Sequence, residues 1–251
     1  MIRLSVNVNK VATLRNSRGG AEPRVLDAVG VCVGAGAHGI TVHPRADRRH
    51  ITPDDVRQIA DALAHIRPRV EYNIEGDPRP DLLALVADVR PDQCTLVPVV
   101  PGEITSQAGW TAHTSGDLPA VVRQLKALGI RVSLFVDPTE EAVRLAASAG
   151  ADRVELYTEP YARAFEGGQA AAAASFAEYA RTAEAAHRAG LGVNAGHDLD
   201  LENLRLFRTL PHLDEVSIGH AIISRAVFVG LDRVVREYLD VLASEPAPER
   251  Q

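Results

Sequence analysis

The sequence predicts an α/β chain folded as a (β/α)8 TIM barrel of parallel strands, and three observations lead there. Eight short runs rich in β-branched residues alternate with longer Ala-, Leu- and Arg-rich segments, the pattern of successive βαβ units and a parallel sheet. Several longer segments stop at a glycine followed by a new run, as at Gly36, Gly129, Gly150 and Gly190. Glycine just past a helix takes the left-handed conformation at little cost. The chain has 251 residues, and one barrel of eight such units routinely uses about 250. A doubly wound sheet is the competing arrangement. It wants a glycine-rich turn after the first strand, and residues 9–18, Asn-Lys-Val-Ala-Thr-Leu-Arg-Asn-Ser-Arg, hold no glycine.

Taken in order, the strands are expected at residues 3–8 (Arg-Leu-Ser-Val-Asn-Val), 39–43 (Gly-Ile-Thr-Val-His), 70–75 (Val-Glu-Tyr-Asn-Ile-Glu) and 93–98 (Gln-Cys-Thr-Leu-Val-Pro). They continue at 131–137, 153–158, 191–196 and 215–220. Helical patterns run over 53–66, 80–89, 118–128, 139–149, about 170–189 and 222–242. Residues 9–18 read as a turn. Two stretches interrupt the regular beat. Residues 99–116 hold Gly102, Thr105, Ser106, Gly109 and the only tryptophan, Trp110; residues 158–169 hold Gly167-Gly168. Long loops in compact domains are often lids or binding loops. Residues 1–243 read as a single barrel domain, and 244–251, with two prolines and several charges, as a flexible tail.

Composition narrows the function classes. Lys plus Arg is 27 against 33 for Asp plus Glu, a net charge of −6, which argues against a generic nucleic-acid partner. Cys32 and Cys94 form no Cys-x-x-Cys pair and read as buried free thiols. No run of about 18 apolar residues predicts a membrane span, and no charged-then-apolar leader is visible. A cytoplasmic protein is expected.

In such a barrel the C-terminal ends of the strands face the reaction site. Those ends carry Asn7 and Asn9, His43 and Arg45, Asn73 and Glu75, Asp137, Tyr157 and Thr158, Asn194, Gly196 and His197, then Gly219 and His220; Glu155 lies inside the sixth strand, and the Thr105 loop follows the fourth. Polar turns alone would give a few of these. Convergence from many strands is what one catalytic bowl needs. His43, His197 and His220 can give or take protons near neutral pH. Glu75, on an otherwise apolar strand, invites a raised pKa and a role as base, unless a neighbouring arginine pairs with it. Arg18, Arg45 and His50 suit phosphate recognition, with Arg15, Arg48 and Arg49 nearby, the last two read rather as a solvated, salt-bridged face. The small residues around Gly196 and Gly219, ahead of a helix, suit a phosphate at a helix N-terminus. A metal on His43, Glu75, His197 and His220 lacks the close-spaced ligand pair that would anchor it, and no metal is expected.

These motifs together resemble the pyridoxine 5′-phosphate synthase family. The residues that carry the resemblance run from Val6-Asn-Val-Asn-Lys-Val-Ala-Thr-Leu-Arg-Asn-Ser-Arg18 through Gly39-Ile-Thr-Val-His-Pro-Arg-Ala-Asp-Arg-Arg-His-Ile51 and Asn73-Ile-Glu75. They continue with Leu96-Val-Pro98, Val132 to Asp137, Asn194-Ala-Gly-His197 and Ser217-Ile-Gly-His-Ala-Ile-Ile-Ser-Arg, colinear over nearly the whole chain. The resemblance implies a (β/α)8 barrel without cofactor or metal that condenses 1-deoxy-D-xylulose 5-phosphate with 3-amino-2-oxopropyl phosphate, releases phosphate and water and closes a pyridine ring. It implies a homo-octamer, a tetramer of dimers. Carried over by motif, His43 and Glu75 are proton acceptors and His197 a proton donor. Asn7 contacts the aminoketone phosphate, while Arg18, Arg45, His50 and Thr105 bind the deoxyxylulose phosphate or the product. Gly219 and His220 complete a phosphate site, Glu155 contributes secondarily, and the loop after the fourth strand closes as a lid.

Three departures stand out. Many members carry Asp-His where this chain has Asn9-Lys10, and glycine where it has Asp198. Both positions are expected among the substrate contacts. The 99–116 loop also differs in composition. Two other classes compete. Another phosphosugar barrel, an epimerase or aldolase, would need a metal set or a Schiff-base lysine; the lysines are Lys10 and Lys126, and Lys126 falls in a helix. A non-enzymatic scaffold would tolerate replacement of the strand-end polar residues.

Overall fold

The computed structural model describes residues 1–67, 69–98 and 106–244. Thr105, most of the lid candidate before Ser106 and the tail beyond Ser244 lie outside the described residues. Eight parallel strands, β1 (Arg3–Asn7), β2 (Gly39–Val42), β3 (Glu71–Gly76), β4 (Gln93–Leu96), β5 (Arg131–Val136), β6 (Arg153–Tyr157), β7 (Gly192–Gly196) and β8 (Leu213–Ile218), close into a barrel in sequence order. Closure comes where β1 pairs with β8, Ser5 opposite Ser217.

The helices are α1 (Asn9–Asn16), α2 (Val25–Ala35), α3 (Pro53–Leu63), α4 (Pro80–Val89), α5 (Leu118–Ala127), α6 (Glu140–Ala149), α7 (Glu159–Glu166), α8 (Gln169–Arg188), α9 (Leu204–Phe207), α10 (His220–Val229) and α11 (Leu231–Ala243). Their starts follow local chemistry. Pro53 opens α3 behind a capping box in which Thr52 Oγ1 accepts from the Asp55 amide at 3.2 Å and Asp55 Oδ2 accepts from the Thr52 amide at 2.8 Å. Thr139 caps α6 in the simpler way. The glycine stops hold: Gly36, Gly129, Gly150 and Gly190 all have positive φ.

Three expectations are corrected. Residues 9–18 are not a turn; they contain α1, whose first amide is accepted by Asn7 Oδ1 at 3.0 Å and whose Val11 and Ala12 are buried. The interruption at 158–169 contains α7, anchored by fully buried Tyr161. The single helix expected over 222–242 is two helices, because Gly230 at φ 88° breaks it, and the first of them starts at His220.

Most of the strands alternate apolar with polar residues. Leu4, Val6, Ile40, Val42, Tyr72, Ile74, Val132, Leu134, Val154 and Leu156 form one buried face and pack against the helical shell. The other face is polar and points into the barrel, as contacts between non-adjacent strands require: Arg3 of β1 and Arg131 of β5 both reach Glu71 of β3. Parallel barrels are usually filled by Val, Ile and Leu. Here a lower layer of Arg3, Glu71, Gln93, Arg131, Arg153 and Glu215 is charged and cross-linked. A middle layer of Ser5, Thr41, Asn73 and Thr95 is hydrogen-bonded side chain to side chain, Ser5 to Thr41 at 2.7 Å and Thr95 to Asn73 at 3.1 Å. The upper layer, Asn7, His43, Glu75, Phe135, Tyr157, Gly196 and Gly219, opens into a cavity.

Candidate active site

The cavity at the C-terminal end of the strands has a volume of about 420 Å³. Among the sequence-selected residues, Asn7, Asn9, Lys10, His43, Arg45, His50, Glu75, Glu155, His197, Asp198, Gly219 and His220 line it. Arg18 does not; it is exposed past the end of α1. Arg15 is committed elsewhere, in a two-pronged pair with Asp55 at 2.5 and 2.9 Å, and with Asn16 it holds the His50 carbonyl. Helix α1 thereby pins the loop that presents His50. Of the two lysines, Lys126 pairs with Asp152 on the surface, leaving Lys10 in the cavity.

One short chain of contacts sets the catalytic geometry. Asn7 Oδ1 accepts from the Asn9 amide, and Asn9 Oδ1 accepts from the His43 amide at 2.9 Å. Asn7 Nδ2 reaches Glu75 Oε2 at 3.5 Å, and His43 Nδ1 lies 4.0 Å from the same oxygen. The far nitrogen of His43, Nε2, and Glu155 Oε2 are buried without a partner among the described residues. Unpaired buried polar atoms cost free energy, and at a cavity wall they mark where substrate atoms belong.

Electrostatics separates the roles. His43 is held well below the usual imidazole range, by burial first and then by His50, Arg45 and Arg79. His50 is pushed down to about 4 by burial, Arg45 and Lys10. It is therefore neutral, and because its Nδ1 accepts from the Ile51 amide at 2.9 Å, its proton sits on Nε2. His197 is lowered by burial. Its ring is packed between Phe135 and Tyr157, at 5.2 and 5.4 Å between centroids. Glu75 is raised by burial and by Glu215, against a hydrogen bond from Ser217. Glu155 is raised by burial and by Glu75. The bowl thus holds neutral imidazoles and protonatable carboxyls, groups suited to passing protons near neutral pH.

Backbone donors occupy the opposite wall. Gly219 precedes α10, and a Cβ there would lie 2.9 Å from Asn7 Cβ and from the Asn7 carbonyl, so only glycine lets β8 approach β1 and set the α10 N-terminus against Asn7. His197 and Asp198 stand consecutively in the left-handed region at φ 82° and 56°. After β4, Trp110 Nε1 donates to the Leu96 carbonyl at 2.8 Å and its amide to the Phe135 carbonyl at 3.0 Å. Among the described residues no group of three or more His, Cys, Asp or Glu side chains is arranged to hold a metal, and no helix is long and apolar enough to cross a membrane. Both cysteines are buried and free.

Sequence reading gave no role to Phe135, Ser217, Thr158 or Asn203, nor to the charged lower layer. The signal was present: most of the strands alternate polar with apolar, as in Leu4-Ser5-Val6-Asn7 and Tyr72-Asn73-Ile74-Glu75, whereas a parallel strand buried on both faces ordinarily reads as continuously apolar.

The comparisons with known proteins agree with this picture. The family model for pyridoxal phosphate biosynthesis protein PdxJ matches residues 4–244. A pyridoxine 5′-phosphate synthase of Bacteroides fragilis is 52% identical over 244 residues, covering 96% of this chain and 100% of that protein. Those of Porphyromonas gingivalis and Leptospira biflexa are 50% and 47% identical, covering 97% of this chain and 100% and 98% of those proteins. Among solved structures, 3-hexulose-6-phosphate synthase of Salmonella typhimurium superposes with a TM-score of 0.64 at 16% identity, over 96% of this chain and 98% of that one. Phosphoribosyl anthranilate isomerase of Thermotoga maritima gives 0.59 at 15%, over the same shares. At those identities the likeness is one of fold.

Proposed function

The chain belongs to the family of pyridoxal phosphate biosynthesis protein PdxJ, and from that premise we infer that it catalyses the pyridoxine 5′-phosphate synthase reaction. It condenses 1-deoxy-D-xylulose 5-phosphate with 3-amino-2-oxopropyl phosphate and releases phosphate and water as the ring closes. The observation that carries this reading to the residues is the convergence of His43, Glu75, Glu155 and His197, from four different strands or strand ends, on one cavity.

Imine formation, phosphate elimination and dehydration each need a proton delivered to or taken from a defined atom. His43, neutral through burial and its cationic neighbours, takes a substrate proton at its unpaired Nε2, and the imidazolium so formed is stabilised by the Glu75 carboxylate, whose Oε2 lies 4.0 Å from Nδ1. Glu75, with its raised proton affinity, accepts a substrate proton in turn. His197, oriented by Phe135 and Tyr157, takes up the proton that the attacking amine loses and then donates it to the departing oxygen. Glu155 holds a proton beside Glu75. Two anionic substrates need two anion sites. Arg45, neutral His50 and Lys10 take the deoxyxylulose phosphate, with Thr105, outside the described residues, as a further contact. Asn7, Asp198 through its amide, Gly219 and His220 take the aminoketone phosphate at the α10 N-terminus. Exclusion of water from the bowl protects an enamine from hydrolysis. No cofactor or metal is needed. The reading carries with it a cytoplasmic homo-octamer, and the exposed apolar pair Val227 and Phe228 on α10 suits a contact between copies of the chain.

The test is product formation. Metal-stripped protein given both substrates should yield pyridoxine 5′-phosphate, followed by absorbance and mass, and Lys10→Ala should still do so. No product from folded protein, or a Schiff base trapped at Lys10, would overturn the reading in favour of an aldolase-type barrel.

A further inference from the structure

We propose that Thr158 is a positioning residue: its hydroxyl fixes the backbone after β7 so that His197 and the following amides face the substrate. The inference rests on the synthase reading of the cavity. Thr158 is fully buried and precedes α7 as its N-cap. A threonine there ordinarily turns its oxygen onto its own helix, and Thr52 and Thr139 do so for α3 and α6. Thr158 makes no such cap bond. Its Oγ1 instead shares its one proton between the carbonyls of Gly196, at 2.7 Å, and His197, and its amide also reaches the Gly196 carbonyl at 3.0 Å.

Those carbonyls belong to a stretch with unusual backbone. His197 and Asp198 are both left-handed without being glycine, a conformation that persists only when its surroundings fix it. Thr158 fixes one side. Asn203, itself buried and tied to Tyr161, fixes the other by donating to the Asp198 carbonyl at 3.0 Å. Across a planar trans peptide the carbonyl and the next amide point in opposite directions. Drawing the carbonyls of His197 and Asp198 toward Thr158 and Asn203 therefore turns the amides of Asp198 and Leu199 the other way, and both residues line the cavity beside Gly219 and His220. The same anchoring holds the His197 ring against Phe135 and Tyr157. Thr158 thus acts on proton donation and on one phosphate without touching substrate.

The experiment compares Thr158→Val, which keeps the shape and removes the hydroxyl, with Thr158→Ser, which keeps the hydroxyl. Steady-state kinetics are measured with each substrate varied, and inorganic phosphate binding by calorimetry. Thr158→Val should lower kcat, raise KM for the aminoketone phosphate about tenfold or more and weaken phosphate binding. KM for the deoxyxylulose phosphate should stay within about twofold, and Thr158→Ser should recover most of the loss. Wild-type constants in folded Thr158→Val, equal damage to both KM values, or failure of Thr158→Ser to recover would overturn the proposal. If Thr158→Val does not fold, Thr158→Ala makes the same comparison. Absence of product from the wild-type protein would strike the synthase reading instead, while phosphate binding would still read out the role of Thr158.

Discussion

Glu71 and Glu75 sit four residues apart on β3, at 6% and 8% exposure, facing the same barrel interior. Their surroundings are opposite. Glu71 is held by Arg131 and faces Arg3 at 3.9 Å. Glu75 meets Asn7, His43 and Ser217, and among the described residues no Arg or Lys forms an ion pair with it. The same side chain at the same depth therefore does two jobs. Paired with guanidinium groups it cross-links the floor of the barrel. Left with neutral partners it keeps a high proton affinity and becomes a reactive group. A buried carboxylate by itself says little about function; the charge of its neighbours decides.

The comparison can be broken first at the floor. Replacing Arg131 with Met removes one partner of a buried pair and leaves Glu71 and Gln93 short of a donor. The expected cost is about 3 kcal/mol of stability, read by denaturant titration, with turnover per folded molecule nearly unchanged. A turnover loss as large as that of a Glu75 variant would mean that the floor takes part in the chemistry. At the rim, Glu75→Gln should do the reverse: turnover falls about a hundredfold or more, while the protein stays folded.

The pH dependence of stability sharpens the contrast. Folding raises the proton affinity of Glu75, so the folded state binds this proton more tightly than the unfolded chain. Its contribution is present below the ordinary carboxylate range and is lost as pH rises toward the raised folded value. Gln cannot ionise. The Tm of Glu75→Gln relative to wild type should thus climb from about pH 5 to about pH 8; a flat difference would show that Glu75 has an ordinary pKa. His43, His50 and His197, all lowered by burial, act in the opposite sense, adding stability as pH rises toward the ordinary imidazole range. The smallest effect is expected at Asn9→Ala, which removes the acceptor for the His43 amide. About 1 kcal/mol of stability should go, with a modest fall in kcat as the imidazole loosens.

The fold was legible because its signals are local. Eight β-branched runs and four glycine stops need no knowledge of the rest of the chain, and each marks a strand or a helix end, although the last run, expected over 215–220, is displaced to Leu213–Ile218 with His220 opening α10. Local signals failed where the decisive partner is distant. Helix α1 looks like a turn until Asn7 receives its first amide and Asp55 of α3 its Arg15. Helix α7 needs the aromatic cluster of Tyr161 with Phe207 and Tyr179 to hold it. The break at Gly230 was hidden because one glycine does not forbid a continuous helix.

For the site, residue type and strand-end position were enough to select His43, Glu75 and His197. They were not enough to separate Arg15, spent on Asp55, from Arg45 in the cavity, or to show that Arg18 stands outside the cavity lining. By itself the sequence determined the barrel, through spacing and alternation that any stretch displays alone. Only the tertiary structure decided which buried acid meets an arginine and which meets an imidazole, and that Thr158 serves a loop 39 residues along the chain rather than its own helix. Pairing across a closed barrel depends on register between strands distant in sequence, and that register is set by the whole fold at once.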